Sequence, residues 1–402
     1  EIPYEKENPS KNFSYKDLLV KILSVSTSFV LIVVLLLNMP ILRYSKAGVP
    51  DENVSIITYL KRWQPLVEIE GEIDKTIVDP QIDVDVIPND FDDGLDLPQL
   101  VEGQYTVLFL GFDEDLSNTD VMWVCQFDIA GAKLNILQIP RDTCLPDYTS
   151  AASGRFNSIY RLGDSSVSPI QRVVNAVQEN FGIPIDAYVT TACYDIVDMV
   201  NLIGGIPITI DEEILYEAGK VIPAGNTILS GEQAEWFVRF RHDWLEGDIG
   251  RIKNQRRFMA AVMKKLFSIV QDEGSIKLYN YLNEIYKNKW IATDMSVDDL
   301  SKLADFAATL SMDNVMVNMV PGEGTSNSTP YIGVDGNAYS IYSVHKKQTI
   351  DMLNKYYRPY QKPMTIYDTS IVEYFTVHNY GVYDDTGVSF SELENATEPP
   401  RS

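Results

Sequence analysis

Cysteine and histidine are scarce in this chain, with three of each in 402 residues. Cys125, Cys144 and Cys193 are too few for a disulfide scaffold or a four-ligand zinc site. No two histidines lie close together, which argues against a histidine-built metal centre. Each cysteine sits in or beside an apolar run, as a small buried hydrophobe does. Positive charge is scarce too: 33 Lys and Arg against 57 Asp and Glu leave a net charge of −24 at pH 7. Phosphate backbones demand positive contact surface, so nucleic acid is excluded as a general partner. Neither a P-loop nor a glycine-rich dinucleotide signature occurs. Apolar content is ample, at 45% hydrophobic and 11% aromatic residues. A core can form, and the length suits one large domain or two ordinary ones.

The stretch 22–42 (ILSVSTSFVLIVVLLLNMPIL) carries no charge. At about 1.5 Å rise per residue it spans a hydrocarbon core of about 30 Å. Lys6, Lys11, Lys16 and Lys21 precede it, and Arg43 and Lys46 follow. That excess favours a cytoplasmic N-terminus, with the rest outside. A cleaved signal peptide is the rival reading, but the run is longer than the usual apolar region and no A-x-A-like site ends it. The expectation is a single-pass protein of the cell membrane. Its segments would be a cytoplasmic 1–21, a transmembrane helix 22–42, a juxtamembrane helix and acidic linker over 43–101, an extracellular domain 102–362 and a tail 363–402. The linker's many carboxylates read as an extended, self-repelling tether. The tail shows no clear pattern and is expected to be loosely ordered.

Beyond residue 102 strands and helices alternate. YTVLFLG (105–111) is a buried strand ending in Gly, and 121–128 and 133–140 flank Ile-Ala-Gly-Ala as a hairpin. Ser168-Pro169 starts a helix closed by Gly182, AYVTT (187–191) is a strand, and a helical stripe from Ile196 ends at Gly204-Gly205. IPITI (206–210) is a strand, Ser230 caps a short helix, and a long helix runs from Gly250 to about Val270. Ser296-x-x-Asp299 is a capping box, NVMVNMV (314–320) a strand, and a last helix lies near 345–357. Strand runs apolar on both sides imply an α/β sheet with helices over both faces.

Two clusters carry chemistry. Hairpin geometry puts Asp120 beside Arg141 and Asp142, and the strand ending at Gly111 delivers Asp113 to the same edge. Carboxylates meeting there suit Mg²⁺, which binds one or two carboxylates plus substrate phosphate. The alternative is that the aspartates cap loops and Arg141 pairs with one of them. The second cluster is VRFRHDWLEGDIGRIKNQRR (238–257), with five arginines in an acidic protein. Arg239 and Arg241 are expected to alternate along an extended stretch and share a face. Asp248 starts the long helix, where it can cap or bind metal, and Arg251 and Gln255 lie one turn apart on it. Arg256 and Arg257 read as a solvated helix face. Guanidinium forks match phosphate oxygens. A metal and arginines around a diphosphate, facing a membrane from outside, point to a lipid-linked substrate.

The blocks VLFLGFD…TDVMWV, LQIPRDTCLP, GRFNSIYRLGD, YVTTACYDIVDMVNLIGGIPITI, LSGEQAEWFVRFRHDWLEGDIGRIKNQ and MVPGEGT follow in order over about 102–360. They resemble the LytR-CpsA-Psr (LCP) proteins of bacterial cell-envelope assembly. The resemblance implies an αβα sandwich around a mixed sheet, with a hydrophobic tunnel for a polyprenyl tail. It implies transfer of a glycopolymer (teichoic acid, capsule or another glycan) from a polyprenyl-diphosphate carrier to peptidoglycan, assisted by Mg²⁺ or by Mn²⁺ in its place. Partners are then the lipid-linked donor, the peptidoglycan acceptor and membrane lipid. On matching positions Asp113 and Asp120 are the metal aspartates. Arg141, Arg239, Arg241 and Arg251 form the diphosphate clamp, with Asn157 and Gln255 beside it. Asp142 or Asp248 accepts the acceptor's proton. The chain departs from the pattern at Glu114-Asp115, where the family usually has an arginine, and at Asn254, also usually arginine. A polyprenyl-phosphate-binding or regulatory protein, and a polyprenyl-diphosphate hydrolase, share the same pocket as alternatives.

Overall fold

The computed structural model describes residues 42–46, 49–54, 100–101, 103–241, 243–325, 330–374, 387–394 and 396–401. The chain divides into two compact units, Glu1–Pro65 and Leu66–Ser402. In the first, Leu42–Lys46 (β1) and Val49–Val54 (β2) pair as an antiparallel hairpin. The juxtamembrane helix expected from residue 43 is thus replaced by strands over the described part. Gly48 and Pro50 explain this, since glycine is costly inside a helix and proline lacks the N–H that a helix needs. The membrane span expected over 22–42, apart from Leu42, lies outside the described residues, as does nearly all of the acidic linker. Among the described residues no helix is long and apolar enough to cross a membrane.

The second unit is built on one mixed sheet. Gln104–Phe112 (β3), Thr119–Asp128 (β4) and Lys133–Gln138 (β5) form an antiparallel meander. Two short helices follow, Ile159–Leu162 (α1) and Pro169–Phe181 (α2). The latter is capped by Ser168 and stopped by Gly182 at φ 64°. Ala187–Ala192 (β6) joins β3 in parallel. Asp195–Leu202 (α3) leads out of the sheet to two small antiparallel pairs. These are Ile206–Ile210 (β7) with Gly225–Leu229 (β10), and Ile214–Glu217 (β8) with Lys220–Ile222 (β9). Pro207 has no N–H to give, which keeps IPITI out of the central ladder.

Gly231–Arg239 (α4), Asp248–Glu273 (α5) and Ser275–Lys287 (α6) come next. Then follow Ala292–Thr293 (β11), Val297–Thr309 (α7), Val315–Met319 (β12) and Gly322–Gly324 (β13). Tyr331–Ile332 (β14) pairs with Ala338–Tyr339 (β15), and Tyr342–Val344 (β16) pairs with β13. Lys346–Met352 (α8) continues as a π-turn to Tyr357. Val388–Ser389 (β17) and Phe390–Glu394 (α9) complete the described elements. The sheet order is β11-β6-β3-β4-β5-β12-β17, with two-residue strands at both edges, which blunts them against further pairing.

Alternation sorts the strands onto two faces. Val107, Trp123, Ile136 and Val317 point to the side packed by Ala260 of α5, Leu303 of α7 and Phe390 of α9. On the other side Phe112 meets Tyr160 of α1, and Asn135 donates to the Tyr356 carbonyl. A separate core under β7–β10 gathers Ile206, Leu229, Phe237, Phe240, Trp244 and Phe258. Several described residues of the tail after 363 are held in place, against the expectation of loose order. Phe390 is fully buried, Arg401 stacks over Trp244, and Glu398 ion-pairs with Arg257. The cysteines are free, and burial pushes the thiols of Cys125 and Cys144 up to about 12.

Candidate functional site

The β4–β5 hairpin brings Asp120 and Arg141 together as expected. Arg141 Nη1 donates to Asp120 Oδ1 at 2.9 Å. Its Nε lies 3.5 Å from Asp248 Oδ1 and 4.0 Å from Asp142 Oδ1. Arg251 Nη2 reaches the same Asp248 oxygen at 2.8 Å from the first turn of α5. That turn starts after Gly247 at φ 54° and lies against Trp244. A Cβ on Gly250 would come 2.6 Å from Trp244 Cβ, so only glycine lets the turn sit there. The Arg141 carbonyl accepts from Asn157 N, so the turn before α1 braces the Arg141 loop through its backbone.

Arg155 was not singled out from the sequence, though it lies in the GRFNSIY block. It sits 3.4 Å from Asp142 and donates to the Ser340 carbonyl. Only its place beside Asn157 signalled it.

The network is short of partners. Arg141 Nε, Asp142 Oδ1 and Arg251 Nε are buried and make no hydrogen bond among the described residues, whereas Asp248 Oδ1 is met by both arginines as ion pairs. Native proteins rarely leave buried polar atoms unmet, and doing so costs on the order of 1–3 kcal/mol each. The charges agree. Burial, with Arg141 and Arg241 as like-charged neighbours, holds the Arg251 guanidinium below its ordinary value despite Asp248. Burial alone would lower Arg141 as well, but Asp248, Asp120 and Asp142 outweigh it and raise it. Burial also raises the Asp142 carboxyl above the usual range, against the pull of Arg155 and Arg141. A carboxylate so raised is a better proton acceptor than an ordinary aspartate.

The network borders a cavity of about 310 Å³. Asp113, Asp120, Arg239, Arg251 and Gln255 line its polar end, and Phe109, Trp123, Met199, Phe258, Leu278 and Tyr281 are among its apolar walls. Gln255 is turned to the protein, donating to the Val238 carbonyl. The whole is an apolar slot with a charged mouth, the shape for an amphiphile with an anionic head.

Three expectations change. Arg239 is the last residue of α4, not part of an extended stretch, so Arg239 and Arg241 do not share a face by alternation. The Ser230–Gln233 capping box drives the helix that far. Arg239 is instead gripped by Glu114 at 2.6 Å and by Glu235, one turn back, at 2.5 Å. Arg241 is exposed but close enough to act on Arg251. Lastly, Arg256 and Arg257 are buried rather than solvated. Arg256 donates to Gln138 Oε1, and Arg257 meets the Thr209 carbonyl and Glu398. Helical periodicity shows neither Gln138, which holds Arg256, nor the C-terminal Glu398, which pairs with Arg257.

The two aspartates expected to hold a divalent cation differ. Asp113 accepts four hydrogen bonds from Ser117 and Asn118, from both backbone N–H groups and both side chains. Burial works against it, but these bonds hold its carboxyl below the ordinary range. It organises its own turn, and about four acceptor sites is all that a carboxylate has. Asp120 is half-exposed in the cavity mouth with Oδ1 engaged by Arg141. Its donor chemistry fits a hard cation sharing a phosphate, whereas Asp113 would have to exchange turn bonds. Among the described residues the grouping of three possible ligands is Glu114, Cys193 and Glu235, and Arg239 bridges its two carboxylates.

The sequence model of the LytR_cpsA_psr family matches residues 69–356. A teichoic acid transferase of Bacillus mycoides, "Polyisoprenyl-teichoic acid--peptidoglycan teichoic acid transferase TagU", is 28% identical over 228 residues, covering 54% of this chain and 69% of that protein. The crystal structure of protein gbs0355 from Streptococcus agalactiae superposes with a TM-score of 0.54 at 22% identity, covering 67% of this chain and 92% of that one. That of Bacillus subtilis TagV gives 0.50 at 20% identity, covering 61% and 92%. Both structures share the fold.

Proposed function

The chain belongs to the LytR_cpsA_psr family, and on that premise we propose that it is a membrane-anchored extracellular phosphotransferase. It would move a teichoic-acid-like or capsular glycopolymer from a polyprenyl-diphosphate carrier to a peptidoglycan hydroxyl. One observation carries this reading. Two buried guanidinium N–H groups, Arg141 Nε and Arg251 Nε, make no hydrogen bond among the described residues, and Arg251 lines an apolar cavity. A diphosphate head would meet the two guanidinium N–H groups, and an isoprenoid tail would fill the slot. The relative TagU, named for transfer from a polyisoprenyl carrier to peptidoglycan, supports the substrate class.

In this reading Arg141 and Arg251 hold the diphosphate, and Arg241 adds charge from the rim. The acceptor oxygen attacks the sugar-bearing phosphorus. The bond from that phosphorus to the bridging oxygen breaks, and polyprenyl monophosphate leaves. Charge developing on the leaving phosphate is stabilised by the arginines. Asp142, already shifted towards neutral pH, accepts the hydroxyl proton. Asp248 keeps Arg141 and Arg251 at one oxygen and so fixes their spacing. Mg²⁺ or Mn²⁺, where bound, would neutralise phosphate oxygens, with Asp120 the residue best placed to hold it.

A second reading has its own observation. Arg239 is occupied by Glu114 and Glu235, so one expected clamp arginine is engaged elsewhere, which favours a binder of the lipid carrier. Incubation of the chain with polyprenyl-diphosphate oligosaccharide, peptidoglycan oligomers and Mg²⁺, read by mass spectrometry, separates these. Transferred phosphosaccharide, absent in Arg141→Ala and Asp120→Ala, supports the transferase. Bound, intact donor supports the binder, and free phosphosaccharide a hydrolase.

A further inference from the structure

We propose that the outer face of α6 is a membrane-interface surface that sets the apolar end of the cavity against the bilayer. This rests on reading the cavity as the seat of an isoprenoid tail. A surface helix normally carries one apolar stripe, whereas α6 carries two. Leu278, Tyr281, Leu282 and Ile285 form the inner one and line the cavity. Ile276, Tyr279 and Tyr286, at i, i+3 and i+10, form a second stripe on another side of the helix. These three are exposed, Ile276 to 78%. Half-buried Trp290 follows just beyond the helix.

The chemistry of this stripe selects its occupant. Tyrosine and tryptophan join an apolar ring to a polar tip and favour the headgroup level of a bilayer. Lys287 and Lys289 close the segment, both exposed and without a carboxylate partner among the described residues. In a chain of net charge −24 such a basic end is unusual, and it complements anionic lipid. Because the same helix walls the cavity, a tail leaving past α6 would pass into lipid without crossing water. Exposing it instead would leave apolar surface in water, which is unfavourable.

The test uses the 402-residue chain in phosphatidylglycerol vesicles, with and without brominated acyl chains. The fluorescence of Trp290, taken as wild type minus Trp290→Phe, is expected to be quenched by brominated lipid, and the quenching to be lost in Ile276→Glu/Tyr279→Glu. In the same vesicles that double variant is expected to transfer from a long-tailed donor about tenfold more slowly. Transfer from a short-tailed, water-soluble donor should not change. Val334→Glu, at an 86% exposed position elsewhere, should match wild type with both donors. Absence of Trp290 quenching in the wild type overturns the proposal and leaves a soluble partner as the occupant. Equal transfer from the bilayer donor by wild type and double variant also overturns it. If the wild type transfers from neither donor, the activity reading fails, and quenching alone decides the surface.

Discussion

Arg251 and Arg257 lie on the same helix, α5, and are equally buried, at 5% and 6% exposure. Arg257 is satisfied by the protein: its Nη2 meets the Thr209 carbonyl and its Nη1 approaches Asn254 and Glu398. Arg251 has one carboxylate, which it shares with Arg141, and its buried Nε bonds to nothing among the described residues. Burial depth therefore does not separate a structural arginine from a binding one. The separation lies in whether the fold completes the guanidinium's hydrogen bonds or leaves them for something else. A buried guanidinium with an unfilled N–H is tolerated in a native state where a ligand completes it.

The comparison breaks if the two arginines respond alike to the same change. Arg251→Met keeps the volume and removes a charge that Arg141 and Arg241 disfavour. Transfer should fall by about 10²–10³-fold, the cost of losing one charge-stabilising donor. The melting temperature should fall only slightly, because the Asp248 carboxylate left behind is partly exposed and keeps Arg141 at 3.5 Å. Arg257→Met should leave transfer near the wild-type rate and cost more stability. It takes one cation from Glu398, whose side chain is buried, at about 3 kcal/mol, the lower end for a broken buried pair. Arg401 still reaches Glu398 at 2.8 Å, which limits the loss. Differential scanning fluorimetry beside the transfer assay reads both. Equal loss of stability in the two variants would dissolve the distinction.

The same contrast explains what the sequence could tell. The hairpin register follows from Ile-Ala-Gly-Ala between two apolar strands, and it placed Asp120 against Arg141 correctly. The caps at Ser168 and Ser296 were legible because a cap is a local bond between residues three apart. Arg257 reads as solvated from the sequence because its partner Glu398 is distant and lies in a weakly patterned stretch. Arg239 was misread because nothing local says whether a helix ends before or after its last arginine. The grip of Glu114 on Arg239 spans 125 positions, beyond any periodicity.

A smaller effect sharpens the comparison from the acidic side. Burial holds Asp142 above the usual carboxylate range, while the turn bonds from Ser117 and Asn118 hold Asp113 below it. A proton acceptor works only when deprotonated, so transfer should rise with pH as Asp142 ionises. The acid limb should lie above the ordinary aspartate value of about 3.9. In Asp142→Asn that limb should vanish together with most of the rate, whereas Asp113→Asn should leave its position unchanged. A limb that survives Asp142→Asn would move the base to Asp248.

The smallest effect concerns the arginine that lies between these extremes. Arg239 is half-exposed and held by two carboxylates, one of them, Glu114, largely in solvent. Exposed ion pairs contribute only about 0.2–1 kcal/mol, so the grip is weak enough for a ligand to displace. Glu114→Gln removes one negative charge from the cavity mouth and frees Arg239 from its outer partner. Donor binding should tighten by up to about fivefold, with stability unchanged, and the gain should shrink at high salt as screening grows. Equilibrium binding of a short-tailed diphosphate at two salt concentrations measures it. Tighter binding would place Arg239 with Arg251, as a cation that the fold leaves for its ligand. Unchanged affinity would place it with Arg257, as a cation that the fold has already used.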